Sequence, residues 1–324
     1  DLQLQSIAHG VISLDQHAPA YGRLVRRLQV VKFRGSDFRS GYQDVTLRHR
    51  GLEVYPRLAA AEHGHAFRKE AISSGIAGLD ALLGGGIDRG AATLIVGAPG
   101  SGKSTVALQF VAAAAARGDH AAIFTFEESR SSLLARAGAI GLRIEEGTAK
   151  GQVSIHQVDP TDIAPGEFAH FVRESVERHE ARVVVLDSLN GYLHAMPDGH
   201  ALLIQLRELL SYLNNHGVAT FLLTAQSEWL GPGMRSPVET SYLADNVVMM
   251  RLFEHGGRVR KSISALKKRT GAHEESIREI WFDSGGVHLG EPLRGLRGVL
   301  TGVPVGAIDT PASGAHAPGP GHGG

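Results

Sequence analysis

Apolar and polar positions change rhythm twice along the 324 residues. From residue 72 to about residue 290, short apolar runs alternate with segments of helical period, as an α/β domain with a mostly parallel sheet requires. The pattern predicts strands at 91–96, 121–126, 152–157, 182–186 and 218–224, too apolar for a sheet with a solvated face. Between them it predicts helices at 106–117, 131–139, 165–180 and 200–215. In the third of these Phe168, Phe171, Val172 and Val176 share one face. In the fourth, leucines at 202, 206, 209 and 213 make a stripe read as core packing. From residue 246 onward short strands are expected in succession.

Residues 1–70 follow a different rhythm. Strands are expected at 10–14, 23–33, 44–47 and 51–55, with no helix-length amphipathic segment to cover them. The stretch Val25-Arg26-Arg27-Leu28-Gln29-Val30-Val31-Lys32-Phe33-Arg34-Gly35 is similar to Arg260-Lys261-Ser262-Ile263-Ser264-Ala265-Leu266-Lys267-Lys268-Arg269-Thr270. In both, a basic strand ends in Lys-x-Arg. A repeat at so long a period implies two copies of one domain, the first represented only by its final strands. The expected organisation is therefore 1–56 as the end of a first domain, 57–71 as a linker, and 72–304 as a complete domain. Residues 305–324 are expected to be a disordered tail, since 301–324 hold eleven Gly or Pro and no aromatic residue. The His63-Gly64-His65 pair in the linker lacks further ligands and reads as solvated.

Composition narrows the function classes. The 33 basic and 33 acidic residues cancel, so neither nucleic acid nor a membrane surface is expected as a partner. No cysteine is present, which excludes disulfides and zinc sites built on thiolates and fits a cytoplasmic protein. No apolar stretch is long enough to span a bilayer as a helix.

The chemistry centres on Gly97-Ala98-Pro99-Gly100-Ser101-Gly102-Lys103-Ser104-Thr105, which follows a predicted strand and opens a predicted helix. That is the context in which a phosphate-binding loop is credible. Its glycines let backbone N–H groups close around phosphates, and the helix N-terminus adds positive potential. Lys103 would reach the β- and γ-phosphates, and Ser104 would place its hydroxyl on Mg²⁺. The ligands expected from these residues are thus a nucleoside triphosphate and Mg²⁺. Asp187 ends an apolar strand downstream and fits the acid that orients the metal. Glu127 and Glu128 end the strand after the loop's helix. Alternation along a strand predicts that one faces the γ-phosphate and the other supports it, although two acids opening a helix would look the same. Glu127 is also placed near the metal. Gln226, at the tip of the strand after Asp187, occupies the place of a γ-phosphate sensor. Residues 251–269 hold seven Lys or Arg against one Glu. Lys267 and Arg269 should point one way, either as trans-acting basic fingers or as a solvated edge.

These residues together resemble one family, the KaiC family of RecA-like, circadian-clock-type ATPases and autokinases. Further marks are Ser74-Gly75-Ile76-Ala77-Gly78-Leu79-Asp80, Leu83-Gly84-Gly85-Gly86 and Phe126-Glu127-Glu128-Ser129. Val185-Leu186-Asp187-Ser188-Leu189-Asn190-Gly191 and Leu266-Lys267-Lys268-Arg269-Thr270-Gly271 complete the set. The resemblance implies a RecA-like P-loop fold, a homohexameric ring with ATP between subunits, and a carboxylate at Glu127 or Glu128 that polarises water. It implies that Lys267, Lys268, Arg269 and His273 serve the adjacent protomer's nucleotide, as Lys32 and Arg34 would in a first ring. It also implies serine autophosphorylation at Ser241, with Tyr242 standing where the family has threonine. A regulatory protein is an expected partner of unknown identity. Residues 305–324 are unlike the family's C-terminal regulatory segment. Two other classes compete: a DNA-dependent motor on the same fold, favoured by the basic segments, and an ATP-gated scaffold with little turnover.

Overall fold

A computed structural model describes residues 2–18, 23–58, 67–68, 70–194, 199–225, 242–301 and 305–306. Helix α1 (Leu2–Ile7) precedes four strands, β1 (Gly10–His17), β2 (Val25–Phe33), β3 (Tyr42–Arg48) and β4 (Gly51–Tyr55), which form an antiparallel meander in that order. A two-residue pair, β5 (Ala71–Ile72) and β6 (Ile87–Asp88), brackets α2 (Ala77–Leu82). The alternating region follows as β7 (Ala92–Gly97), α3 (Lys103–Ala116), β8 (His120–Thr125), α4 (Arg130–Ala139), α5 (Ile144–Ala149) and β9 (Val153–Gln157). It continues with α6 (Pro165–Glu177), β10 (Ala181–Asp187), α7 (Leu189–His194), α8 (Gly199–Asn215) and β11 (Ala219–Ala225). Strands β12 (Asn246–His255), β13 (Arg258–Lys268), β14 (Arg278–Asp283) and β15 (Gly286–Pro292) close the domain.

Nine strands make one sheet in the order β15-β14-β13-β12-β7-β11-β10-β8-β9. Pairing is parallel from β12 to β9 and antiparallel among β12, β13, β14 and β15. This is the expected α/β class, a mostly parallel sheet flanked by helices and consistent with a RecA-like P-loop fold. The apolar runs are continuous because each strand serves two cores. In β7, Ile95 joins the core under α2, α3, α4 and α5, whereas Leu94 and Val96 join the core under α6, α7 and α8. Val183 and Val185 against Val184 and Leu186 repeat this division in β10. The stripe Leu202, Leu206, Leu209 and Leu213 lies wholly within the second core.

Three local departures from the expected pattern have physical causes. The helix expected to reach residue 180 ends at Glu177, because Glu180 adopts φ 51° in the turn to β10. The short strands expected after 246 begin instead as a ribbon of 10 and 11 residues. Its turn is Gly256-Gly257, both with positive φ between the paired His255 and Arg258, the geometry that lets a two-residue hairpin follow the sheet's twist. Helices α1, α2, α5 and α7 are not among the expected elements; each is only six residues long. Of the sequence-predicted residues, Gln226, Ser241, His63, His65 and positions 307–324 lie outside the described residues.

The N-terminal meander turns its polar face to the α/β domain. Asp44 Oδ2 accepts the backbone N–H of Gly166 at 2.7 Å, in the first turn of α6. Glu167 accepts from Thr46 Oγ1 at 3.1 Å and from Arg48 Nη2 at 2.6 Å. Alternation then places Ile12, Leu14, Leu47, Leu52 and Val54 on the opposite face, where Leu14 is 65% and Leu47 56% exposed. The meander also carries a bulge that recurs in the large sheet. Strand β1 pairs Val11 with Lys32 and Ile12 with Val30, skipping Val31. Strand β12 pairs Val247 with Lys267 and Val248 with Ala265, skipping Leu266. Val31 and Leu266 are matched positions in the sequence repeat. Among the described residues, no helix is long and apolar enough to cross a membrane.

His156, on the edge strand β9, stacks on Phe124 at 4.9 Å and meets Phe171 edge-on at 4.7 Å. Its buried Nε2 has no hydrogen-bond partner among the described residues. Burial, with a smaller effect from His179, holds its pKa below the ordinary histidine value. The neutral ring is therefore the form that the fold accepts. The stability this confers is complete above about pH 6.5, the unfolded value, and declines as the pH falls below it. His156→Phe should keep the ring stack and remove that slope. Urea unfolding at pH 5 and pH 7.5 should then show a larger loss on acidification in the parent than in the variant.

Candidate nucleotide-binding and hydrolytic site

The phosphate-binding loop leaves β7 at Gly97 and enters α3 at Lys103. Gly100 and Gly102 have φ of 77° and 102°, the left-handed region that a side chain disfavours. Gly102 has a second reason to lack a Cβ, which would come within 2.5 Å of the Phe282 ring on β14. Thus β14 backs the loop, a contact that its sequence motif does not announce. Ala98, Ser101, Lys103 and Thr105 are buried, while Pro99 and Gly100 are exposed and Ser104 is half-buried. Ser101 Oγ is fully buried without a hydrogen-bond partner among the described residues. That orphaned hydroxyl, with the glycines and the amino end of a 14-residue helix, makes a polar cradle that suits a phosphate chain.

Lys103 Nζ donates to the carbonyl oxygens of Gly97 and Ala98 at 2.9 and 3.0 Å. Burial pushes its pKa down, and the charges of Asp187 and Glu127 oppose that shift. Asp187, at the carboxyl end of β10, is pushed up by burial, against the Ser104 hydroxyl and the cations Arg136 and Lys103. Lys103, Ser104, Glu127 and Asp187 therefore converge at one end of the parallel strands.

The two glutamates differ in direction, but strand alternation is not the cause. Strand β8 stops at Thr125 and residues 126–128 bend away. The Thr125 hydroxyl fixes that bend by accepting from the Glu128 N–H and donating to the Glu128 carbonyl. Glu127 Oε1 accepts from Ser188 Oγ at 2.7 Å, next to Asp187. Gly191 permits this approach, since a Cβ there would lie 3.1 Å from Glu127 Oε1. Glu128 instead turns to α4, where Arg136 Nε and Nη2 reach its two oxygens at 3.1 and 2.7 Å. Burial alone would raise the Glu128 pKa, and Arg136 with Ser132 holds it below the usual carboxylate range. Asn190 Oδ1 accepts from Thr224 Oγ1 at 2.6 Å and from the Ala225 N–H at 2.9 Å. It thereby ties α7 to the end of β11, beside Gln226 in sequence.

Lys267 and Lys268, which end β13, and Arg269 after them lie at the other end of the sheet, whereas Arg260 and Lys261 of the same strand lie at the P-loop end. Lys267 Nζ donates to Ala244 O at 2.7 Å, and Arg269 Nη1 pairs with Asp245 Oδ1 at 3.0 Å. Asp245 Oδ2 also accepts from the Ala92 N–H, the first residue of β7. The six residues of β7 span roughly 20 Å, so Lys267 and Arg269 are far from their own P-loop. Lys268 points the opposite way and is almost wholly buried, donating to Leu83 O and Gly86 O beside Asp88. Half-buried His273 follows in the loop that crosses Gly84, where φ is 66° and a Cβ would strike Ala272 O at 1.9 Å. In the motif ahead of it, Asp80 Oδ1 accepts from both the N–H and the hydroxyl of Ser74 at 2.7 Å.

Several cations of the basic segments are engaged in ion pairs: Arg23 with Glu167, Arg27 with Asp44, Arg260 with Glu279 and Arg269 with Asp245.

Sequence reasoning missed Ser188, Asn190 and Arg136. The first two stand inside the motif around Asp187. Arg136 carries a fainter signal: with Ser132 it lies four and eight residues beyond Glu128, on the side of α4 that faces it.

The chain is 26% identical over 285 residues to circadian clock protein KaiC3 of Synechocystis, covering 86% of this chain and 55% of that protein. It is 24% identical over 279 residues to the circadian clock oscillator protein KaiC of Picosynechococcus, covering 86% and 54%. With KaiC of Synechococcus elongatus the identity is 23% over 279 residues, covering 86% and 53%. The chain spans about half the length of the curated relatives it matches. A family model for the KaiC ATPase matches residues 72–294, the span that holds the loop, both glutamates, Asp187 and the β13 cations. By that match over most of its length, the chain belongs to the KaiC family of ATPases.

Proposed function

We propose that the chain is an Mg²⁺-ATP-dependent ATPase that works as a homohexameric ring, with self-phosphorylation at Ser241 as a second activity. One observation carries the reading: the polar groups for phosphoryl transfer are split between the two ends of the sheet. Lys103, Ser104, Glu127 and Asp187 meet at the carboxyl end, and Lys267 and Arg269 wait at the amino end. One protomer cannot bring them together, and neighbouring copies can.

Within the site Lys103 exchanges its two loop carbonyls for phosphate oxygens. Gly97, Ala98, Pro99, Gly100, Ser101, Gly102 and Thr105 form the cradle, with Ser101 Oγ as a further donor. Ser104 and Asp187 would hold Mg²⁺, with Glu127 nearby. Among the described residues no cluster of three or more His, Asp or Glu side chains could cage a metal alone. Phosphate oxygens and water would complete the shell. When bound, Mg²⁺ supplies charge neutralisation at the β- and γ-oxygens. Glu127, oriented by Ser188, accepts the proton of the attacking water. Gln226 reports the γ-phosphate. Arg269 leaves Asp245, and Lys267 and His273 approach with it, to serve the adjacent protomer, while Lys268 holds its own 83–86 turn in place.

The same proposal covers the domains. Residues 1–56 are the closing strands of a first copy, joined by 57–71 to the ATPase domain at 72–304, with 305–324 as a tail. The shared meander order, the bulge at matched positions and the exposure of Ile12, Leu14, Leu47, Leu52 and Val54 on one face of the first sheet support this. Lys32 and Arg34 then stand where Lys267 and Arg269 stand. A soluble, cytoplasmic setting and a separate regulatory protein belong to the same reading.

Lys103→Ala should weaken binding of an Mg²⁺-ATP analogue at least about 100-fold. Glu127→Gln should bind it nearly as the parent does and release ADP about 100-fold more slowly. Parent-like ADP release by Glu127→Gln would sink the base assignment. The split site makes a second prediction: Lys103→Ala and Arg269→Ala should each be inactive alone and regain hydrolysis when mixed, because each supplies the half-site the other lacks. No recovery in mixed rings refutes the trans role. Intact-mass and peptide mapping after incubation with Mg²⁺-ATP should place one phosphate on Ser241, absent in Lys103→Ala; an unmodified 240–242 segment removes the self-kinase activity.

A further inference from the structure

Glu127 and Glu128 are adjacent, both acidic and both near the P-loop, yet their surroundings are opposite. Glu127 receives one hydroxyl, from Ser188. Glu128 is enclosed. Arg136 grips both of its oxygens in a bidentate fork, Ser132 Oγ donates to Oε1 at 3.1 Å, and Thr125 pins its backbone in both directions. A carboxylate with its lone pairs committed to a guanidinium is a poor proton acceptor, because taking up a proton means breaking charge-assisted hydrogen bonds. Arg136 stands one-third exposed on α4, and its charge also reaches Asp187. It is therefore a cation supplied in cis at the hydrolytic end of the sheet, distinct from Lys267 and Arg269 at the far end.

We propose that Arg136 is a positioning residue of the hydrolytic site: by clamping Glu128 it withholds that carboxylate from the base role and leaves water activation to Glu127. The assignment rests on the ATPase reading above. The bend at 126–128 makes it geometrically coherent. Fixing Glu128 to α4 fixes the one peptide that separates it from Glu127, so the clamp also limits where the base can move. A lysine could keep the charge but not the fork, since one ammonium cannot match two carboxylate oxygens in a plane.

The test uses the full chain and five forms: the parent, Arg136→Gln, Arg136→Lys, Glu128→Gln and the double variant Arg136→Gln/Glu128→Gln. Two measurements are made on each, steady-state ADP release and equilibrium binding of a non-hydrolysable Mg²⁺-ATP analogue. If Arg136 acts through Glu128, Arg136→Gln lowers kcat about tenfold while the analogue's Kd stays within about threefold of the parent. The double variant is then no slower than the slower single one, because both changes cut the same interaction. Arg136→Lys recovers part of the rate. Three outcomes overturn the assignment. A tenfold weaker Kd in Arg136→Gln makes the residue a phosphate ligand instead. A double variant whose loss is the product of the single losses makes the two residues independent. A kcat within about twofold of the parent in Arg136→Gln leaves it no role. Should Arg136→Gln fail to fold, Arg136→Lys against Glu128→Gln carries the same comparison, and equal rates in Arg136→Lys and parent count against the fork. A parent that binds the analogue but releases no ADP refutes the ATPase reading itself, and that failure is distinguishable because it precedes any difference among the variants.

Discussion

Strand β7 is the constraint on which the rest of the structure depends. All six of its residues are buried, and it is hydrogen-bonded in parallel to β11 on one side and β12 on the other. A parallel strand must be covered on both faces, and each crossover must carry the chain back over one of them. The loops that follow β7, β8, β10 and β11 consequently open at the same end. Those are the loops that carry Lys103, the glutamate pair, Asp187 and, next in sequence, Gln226. The chemistry is gathered by topology before any side chain makes a specific contact. The same rule sends the antiparallel β13 back to the amino end, which is why Lys267 and Arg269 finish beside Ala244 and Asp245.

What could be read from the sequence was whatever the local chain dictates by itself. The central strands announce themselves because the two-sided core leaves few polar positions in them, mostly threonines such as Thr93, Thr220 and Thr224. The P-loop is legible because its glycines, lysine and flanking elements must occur in one short stretch. The leucine stripe of α8 was legible for the same reason. Features made by distant residues were not. Phe282 backs Gly102 across 180 positions, and Gly84 is required by the loop before His273. The opposite directions of Glu127 and Glu128 were anticipated from strand alternation, but their cause is a bend locked by the Thr125 hydroxyl. Lys268 illustrates the limit most clearly. The motif places it between Lys267 and Arg269, and only the fold turns it inward to the carbonyls of Leu83 and Gly86.

The N-terminal meander raises a question of polarity that its own strands answer. A sheet docked on one face normally buries its apolar side there and shows its polar side to water. Here the docked face carries Asp44, Thr46 and Arg48, and the outer face carries Ile12, Leu14, Leu47, Leu52 and Val54. The polar contacts at α6 are of a kind that orients two bodies rather than one that drives a core to form. That inversion, with the bulge shared by Val31 and Leu266, is the physical feature on which the proposal of a first domain rests.

Electrostatics at the two ends of the large sheet point the same way. At the carboxyl end burial pushes Asp187 toward its neutral form and Lys103 away from its charged one, so the fold itself does not favour the ionised cluster. A divalent cation beside Asp187 and phosphates beside Lys103 would each favour the charged partner, and ligand and site would stabilise one another. At the amino end the Arg269 side chain is largely exposed, whereas its partner Asp245 is mostly buried and would keep the Ala92 N–H as a hydrogen-bond donor if Arg269 turned away. In the proposed ring a ligand would thus offset the burial of Lys103 and Asp187 at one end, while Arg269 stands exposed at the other, and the order of strands around β7 sets these two groups at opposite ends of a single sheet.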